Sequence, residues 1–289
     1  MDKVTYSSPA KINLFLEVKG RREDGYHEIL TWMQTIDICD SITIAKSARD
    51  FSTLRSRDTS IPFGKRNLCI KAYETLRDQS SMEKSDTVEI SLDKQIPLGS
   101  GLGGGSSNAA SVITGLDELF NLGLDMPKKL DIAAQVGSDV PFFMLGGGAV
   151  AQGRGEKLEQ LAPLPKPIWL VVAKPEFSVS TGEAYKWLKK HKGSKSVDAA
   201  KLSKKIASGD IQFILDNMYN AFEQVIAEKF PQIDSIKKKM AEAGCLKAQM
   251  TGSGSGIFGI CAEEATAQAA ASALSGDHDI PFVAACKTI

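Results

Sequence analysis

Apolar and polar residues alternate along 5–18, and the β-branched runs 41–46 and 87–92 carry the same strand signal, so the first hundred residues are expected to be strand-rich. Ala, Leu and Ile recur at three- and four-residue intervals over 66–77, 106–120 and 128–136, the period of a helix with one buried face. The proline-studded stretch Pro163-Leu164-Pro165-Lys166-Pro167 then leads into the apolar run 168–173, which reads as a buried strand. Beyond it 181–190, 198–208, 211–228 and 231–243 read as helices, with strands expected around 248–260 and 280–289. The basic stretch 189–196 reads as a solvated loop. Strands and helices mix in an α+β order with no internal repeat. The prolines mark the expected boundary between an N-terminal domain, 1–162, and a C-terminal domain, 163–289.

Composition narrows the class of partner. The 289 residues are enough for two modest domains, or one large one, with ample core. Lys plus Arg equals Asp plus Glu at 35 each, which argues against nucleic acid or an anionic membrane as the main partner. The longest apolar stretch, 140–150, is short and broken by three glycines, and no charged-then-apolar signal segment opens the chain. Cys39, Cys69, Cys245, Cys261 and Cys286 are odd in number and never spaced Cys-x-x-Cys, against both zinc and a disulfide framework. Reduced thiols in a cytoplasmic protein are therefore expected.

The run Pro97-Leu98-Gly99-Ser100-Gly101-Leu102-Gly103-Gly104-Gly105-Ser106-Ser107 places five glycines within seven residues, directly before a helical pattern. Glycine loses more backbone freedom on folding than any other residue, so bare backbone is required there for a reason. Consecutive N–H groups and the start of a helix together attract an anion such as phosphate. Neither common phosphate motif fits well. A P-loop would end in Gly-Lys-[Ser/Thr], whereas Gly105 is followed by Ser106 and Ser107. A dinucleotide fingerprint fits Gly99, Gly101 and Gly104 loosely, but belongs in a first strand-to-helix turn with an acidic residue about 20 positions on.

Three further segments carry candidate chemistry, and each has a plainer reading. In Ser8-Pro9-Ala10-Lys11-Ile12-Asn13-Leu14, Lys11 and Asn13 share a strand face, although a lysine in an apolar strand more often snorkels to solvent or lies at an edge. Gly137-Ser138-Asp139-Val140-Pro141 offers a carboxylate that alone would be a helix cap or turn aspartate. Met250-Thr251-Gly252-Ser253-Gly254-Ser255-Gly256-Ile257-Phe258 could be only a hairpin turn. Taken jointly, two glycine-rich hydroxyl-bearing loops, one lysine and one aspartate are the components of a phosphoryl-transfer site.

The order and spacing of these segments resemble the three signature motifs of the GHMP small-molecule kinases over nearly the whole chain. Lys11 and Asn13, followed by Arg22-Glu23-Asp24-Gly25-Tyr26-His27-Glu28, resemble the branch whose substrate is an alcohol carried on cytidine diphosphate. Ser100 stands where that family more often has Gly or Ala. The resemblance implies a two-domain α+β fold, an N-terminal domain like ribosomal protein S5 domain 2 and a ferredoxin-like C-terminal domain that completes a cleft. It implies ATP-dependent phosphorylation of the alcohol, with Asp139 as the base and Lys11 beside it. It also implies ATP phosphates on the loop 97–107 and Mg²⁺ arriving with the nucleotide rather than in a protein-only metal site. Asn67 and Lys94 resemble positions near adenosine, while Asn13, Tyr26, His27, Thr181 and Tyr185 resemble positions around a cytidylyl substrate. A kinase of another alcohol in the same family, or a ligand sensor on the same fold without catalysis, are the competing readings. Oligomeric state is left open.

Overall fold

The computed structural model describes residues 2–62, 64–188 and 197–289, so the loop expected at 189–196 lies outside the described residues. The chain forms two compact units. One is built from the chain up to Ala10, Ile38–Ile96 and Gly103–Gly146, the other from Lys11–Asp37, Pro97–Leu102 and Gly147–Ile289. Strands β1 (Lys3–Arg21) and β2 (His27–Lys46) are long enough to serve both. The proline stretch 163–167 falls inside the second unit.

In the first unit, β3 (Thr53–Ser56), α1 (Leu68–Gln79) and β4 (Val88–Asp93) follow the two long strands. The sheet runs β3-β4-β2-β1, with β4 antiparallel to β2 from Ser41↔Asp93 to Lys46↔Val88. Helices α2 (Gly104–Phe120), α3 (Met126–Val136) and α4 (Val140–Leu145) join α1. The expected helical periods hold, and the residues flanking them explain the ends. Asn67 caps α1 by accepting from the Cys69 N–H, and Asp125 caps α3 with Pro127 in its first turn. Ile42, Ile44 and Ile90 of the sheet pack with Leu76, Val112, Leu116 and Ile132 of the helices in one core.

In the second unit, β5 (Gly148–Gly153) pairs antiparallel with β2 and with β6 (Lys157–Gln160). Then come β7 (Trp169–Lys174), α5 (Thr181–Leu188), α6 (Ala199–Ala207), α7 (Ile211–Asn217), β8 (Tyr219–Asn220), α8 (Glu223–Ala227) and α9 (Gln232–Glu242). The last elements are β9 (Lys247–Met250), β10 (Ile257–Cys261), α10 (Glu264–Leu274) and β11 (Phe282–Lys287). The antiparallel sheet β11-β7-β10-β9 with α9 and α10 against it is the ferredoxin-like arrangement, in agreement with the expected fold class.

Two expectations need correction. Strand β2 begins at His27, well before the expected start at 41. Residues 30–36 are buried on both faces, so no alternation marks them. The single helix expected over 211–228 is two short helices separated by β8, because Tyr219 and Asn220 pair in parallel with Phe15 and Leu16 of β1. Tertiary pairing here overrides a helical pattern.

Glu17 of β1 is buried and its Oε2 has no hydrogen-bond partner among the described residues. Burial pushes its pKa above the usual carboxylate value, with Lys19 pulling the other way. The unfolded chain then gives up this proton first, so stability falls as pH rises from the unfolded to the folded pKa, and the whole penalty is present above it. Glu17→Gln is expected to melt at a higher temperature than the native chain at pH 8 and at the same temperature below pH 4. Thermal melts across that range check this, and a lower midpoint of the variant at pH 8 would rule it out.

Candidate active site

Lys11 does not snorkel: it is 3 % exposed, and its ammonium donates to Asn13 Oδ1. Asn13 Nδ2 donates to Thr31 Oγ1 at 2.8 Å, and Thr31 Oγ1 donates to Phe15 O at 2.7 Å. The Asn13 N–H donates to Thr251 Oγ1 at 3.0 Å, and Gln249 Nε2 donates to Asn13 O at 3.1 Å. A buried charge or amide without partners is costly, and this strand gives each group one.

The glycines of the loop have separate reasons. Gly101 has φ +75°, and a Cβ there would lie 2.3 Å from Thr251 O, so only hydrogen fits. The Ser255 and Gly256 N–H groups donate to Gly99 O at 3.2 Å and Ser100 O at 2.9 Å. Ser100 Oγ donates to Pro97 O at 2.7 Å and accepts from the Leu102 N–H. The 97–102 segment is therefore clasped to the 251–256 turn, which joins β9 to β10. That turn joins paired antiparallel strands, so the plain reading of it as a hairpin holds.

Gly103, in the left-handed region, is the residue before α2 and brings no capping side chain. The helix opens with Gly104, Gly105, Ser106 and Ser107, and Ser107 Oγ is buried with no hydrogen-bond partner among the described residues. At its start lies the buried pair of Lys94 and Asp40, and a Cβ on Gly104 would come within 3.0 Å of Lys94 Nζ. Asp40 also accepts from the Gln95 and Ile96 N–H groups at 2.7 and 2.8 Å and from Asn108 Nδ2 at 3.0 Å. Asn67 is committed to its cap and to Pro62 O. Asp139 occupies the residue before α4 in the first unit, but its carboxylate makes no capping hydrogen bond. Of its two plain readings, the cap is not made, while the turn is, since Asp139 lies in a turn directly before α4.

In the second unit, His27 stacks on Tyr185 with ring centroids 4.4 Å apart, and Tyr185 meets Phe222 edge-on at 4.9 Å. Tyr26 stands outside this stack, half-exposed, with the Arg154 guanidinium over its ring at 4.9 Å. Glu28 links Arg22 to Gly153: its Oε2 pairs with Arg22 at 2.7 Å and its Oε1 accepts from the Gly153 N–H at 3.1 Å. The Arg22 hydrogen bond holds the Glu28 carboxyl below its usual range. Thr181 Oγ1 lies 3.0 Å from Ser253 Oγ of the glycine turn.

Sequence reasoning missed Asp40, Asn108, Arg154, Asn220 and Gln249. One of them left a signal. Asp40 interrupts the alternating run Ile38, Ile42, Ile44 at an inward position, where a carboxylate must find donors. Asn220 and Gln249 act on backbone far along the chain and leave none.

The chain matches the model for the GHMP kinases N terminal domain over residues 67–147 and that for GHMP kinases C terminal over 199–278. It is 41% identical to 4-diphosphocytidyl-2-C-methyl-D-erythritol kinase of Pelotomaculum thermopropionicum, covering 96% of each chain. It is 40% identical to the enzyme of the same name from Caldanaerobacter subterraneus, covering 99% of this chain and 97% of that one. Among solved structures, one of 4-(cytidine 5'-diphospho)-2C-methyl-D-erythritol kinase superposes with a TM-score of 0.82 at 32% identity, covering 99% of each chain. A homoserine kinase from Cytophaga hutchinsonii, at 18% identity and TM-score 0.75 over 100% of this chain and 95% of that one, shows the fold alone. With both kinase domains matched and about two fifths of its residues shared along nearly its whole length, the chain belongs to the GHMP small-molecule kinases, in the 4-diphosphocytidyl-2-C-methyl-D-erythritol kinase family.

Proposed function

We propose that the chain phosphorylates the 2-hydroxyl of 4-CDP-2-C-methyl-D-erythritol at the expense of ATP, giving the 2-phosphate and ADP, a step of non-mevalonate isoprenoid biosynthesis. The observation that carries this is near full-length similarity to enzymes of that name, together with the Lys11, Asn13 and Thr251 network. ATP supplies the phosphoryl group. The segment 97–107 would hold its phosphates, and two features suit that role: the uncapped start of α2 and the unpartnered Ser107 Oγ. Lys94 and Asn67 are assigned to the nucleotide, and Mg²⁺ to the nucleotide it arrives with. A cytoplasmic location suits five cysteines that are all free. Among the described residues no helix is long and apolar enough to cross a membrane.

Asp139 orients the acceptor hydroxyl and takes its proton as the new P–O bond forms and the bond to the β-phosphate oxygen breaks. General-base help of this kind contributes about 10²- to 10⁴-fold. The Lys11 ammonium stabilises negative charge that develops on the acceptor oxygen. Tyr26, His27, Tyr185, Asn13 and Thr181 hold the cytidylyl group, the rings by stacking and the imidazole by reading the base edge. In this scheme residues 1–162 carry the phosphate loop and Asp139, and residues 163–289 complete the site.

ADP release with ATP, Mg²⁺ and the cytidylyl substrate, run beside mevalonate and homoserine with phosphorus NMR of the product, tests the reading. A phosphomonoester from the cytidylyl substrate alone is expected, with inhibition by CMP competitive against that substrate and not against ATP. Product from another alcohol instead would overturn the roles of Tyr26 and His27. Asp139→Asn is expected to fold normally and to lose at least about 10²-fold in kcat. Native turnover in that variant would remove Asp139 as the base. Gly101→Ala must push against a backbone carbonyl, and it is expected to cost about 1–3 kcal/mol in stability, read by denaturant melts, and to raise the KM for ATP.

A further inference from the structure

Asn220 lies in β8, in register with Leu16 of β1, and is buried. Its side-chain amide is fully used. Nδ2 donates to Met250 O at 2.7 Å and to Gly252 O at 2.9 Å, while Oδ1 accepts from the Phe222 N–H at 2.9 Å. Three residues on, Glu223 Oε2 accepts from the Met250 N–H at 2.6 Å, and its Oε1 is paired with Lys237. One short turn thus grips both polar groups of Met250 and the carbonyl of Gly252.

What lies in that grip bears on the chemistry. Thr251, between the two gripped carbonyls, places its Oγ1 on the Asn13 N–H. A Cβ on Gly252 would be 3.5 Å from Lys11 Nζ and 3.0 Å from Gly101 O. A shift of the 250–252 backbone therefore moves the floor under the lysine. We propose that Asn220, supported by Glu223, is a positioning residue for the Lys11 ammonium, acting through the 250–252 backbone and Asn13. The inference rests on the catalytic role given above to Lys11. Misplacing a reacting group by about 1 Å can cost 10²-fold in rate, whereas a clamp that serves stability alone lowers the melting temperature and leaves the turnover of folded enzyme unchanged. The amide is specific to the task, because a carboxylate in its place would set negative oxygen against two carbonyl oxygens.

The test is steady-state kinetics and thermal melts of Asn220→Asp, Asn220→Ser, Lys11→Met and the double variant Asn220→Ser with Lys11→Met. Both Asn220 variants are expected to lose roughly 10- to 100-fold in kcat, with KM for ATP and for the cytidylyl substrate within about threefold of native. With Lys11 already replaced, Asn220→Ser is expected to cost less than about threefold more, the non-additivity of residues that act as one unit. Native kcat in Asn220→Ser, a loss confined to KM, or losses that multiply in full in the double variant would each overturn the proposal. Failure of both Asn220 variants to fold would mark the clamp as structural and overturn it too. Native turnover in Lys11→Met would instead sink the role of Lys11, whereas a slow Lys11→Met with an additive cycle sinks the role of Asn220 alone.

Discussion

The second unit depends on two stretches of backbone lying against each other with no side chain between them. Gly101 and Gly252 face one another so closely that a methyl group on either would meet the other loop's main chain. Two N–H groups of the 251–256 turn are spent on carbonyls of 97–102, and the Lys11 N–H is spent on Leu102 O at 2.9 Å. The lysine strand, the 97–102 segment and the glycine hairpin thus form one hydrogen-bonded body. Its rigidity comes from main-chain bonds, which are hard to break without leaving a buried polar group unpaired.

That constraint changes the meaning of the glycines. The loop read as a phosphate cradle divides into two parts with different needs. Gly99 and Gly101 answer to packing, since a Cβ at Gly99 would strike the Ser178 side chain at 2.6 Å and one at Gly101 the hairpin carbonyl. Gly103 and Gly104 answer to the helix, the first by its left-handed backbone and the second by the closeness of Ile96 and Lys94. Almost every buried polar group around these parts is partnered, as the cost of burial demands. Ser107 Oγ, in the first turn of α2, has no hydrogen-bond partner among the described residues.

Much of this was legible because it is local. The helical periods and the glycine segments are written within a few residues of where they act, and the structure follows them. The same holds for the pairing of Lys11 with Asn13, since two residues apart on a strand means one face. What was not legible is what long-range pairing decides. Nothing near Met218 announces that 219–220 leave the helical pattern for an edge of β1, yet that break is what brings Asn220 to the hairpin. Nor does local sequence show that His27 stacks on Tyr185, 158 positions later, while its neighbour Tyr26 lies under Arg154 instead.

Under the proposed function, selectivity rests on how the candidate substrate residues are mounted rather than on the fold. Kinases of other alcohols share this fold at 18% identity, so the architecture alone does not choose the acceptor. Here Tyr26 and His27 sit on a short turn closed at both ends, by the Arg22 N–H on Tyr26 O at 2.7 Å and by Glu28, which links Arg22 to Gly153. His27 is held further by its stack on Tyr185, which Phe222 braces from the side. Groups fixed before a ligand arrives lose less entropy on binding, so the same contacts yield more affinity than they would on a mobile loop. Phe222 is also the residue whose N–H is held by Asn220, so the turn that grips the glycine hairpin is continuous with the ring that supports His27 and Tyr185. Within the second unit, the geometry around Lys11 and the geometry proposed for base recognition rest on the same few residues.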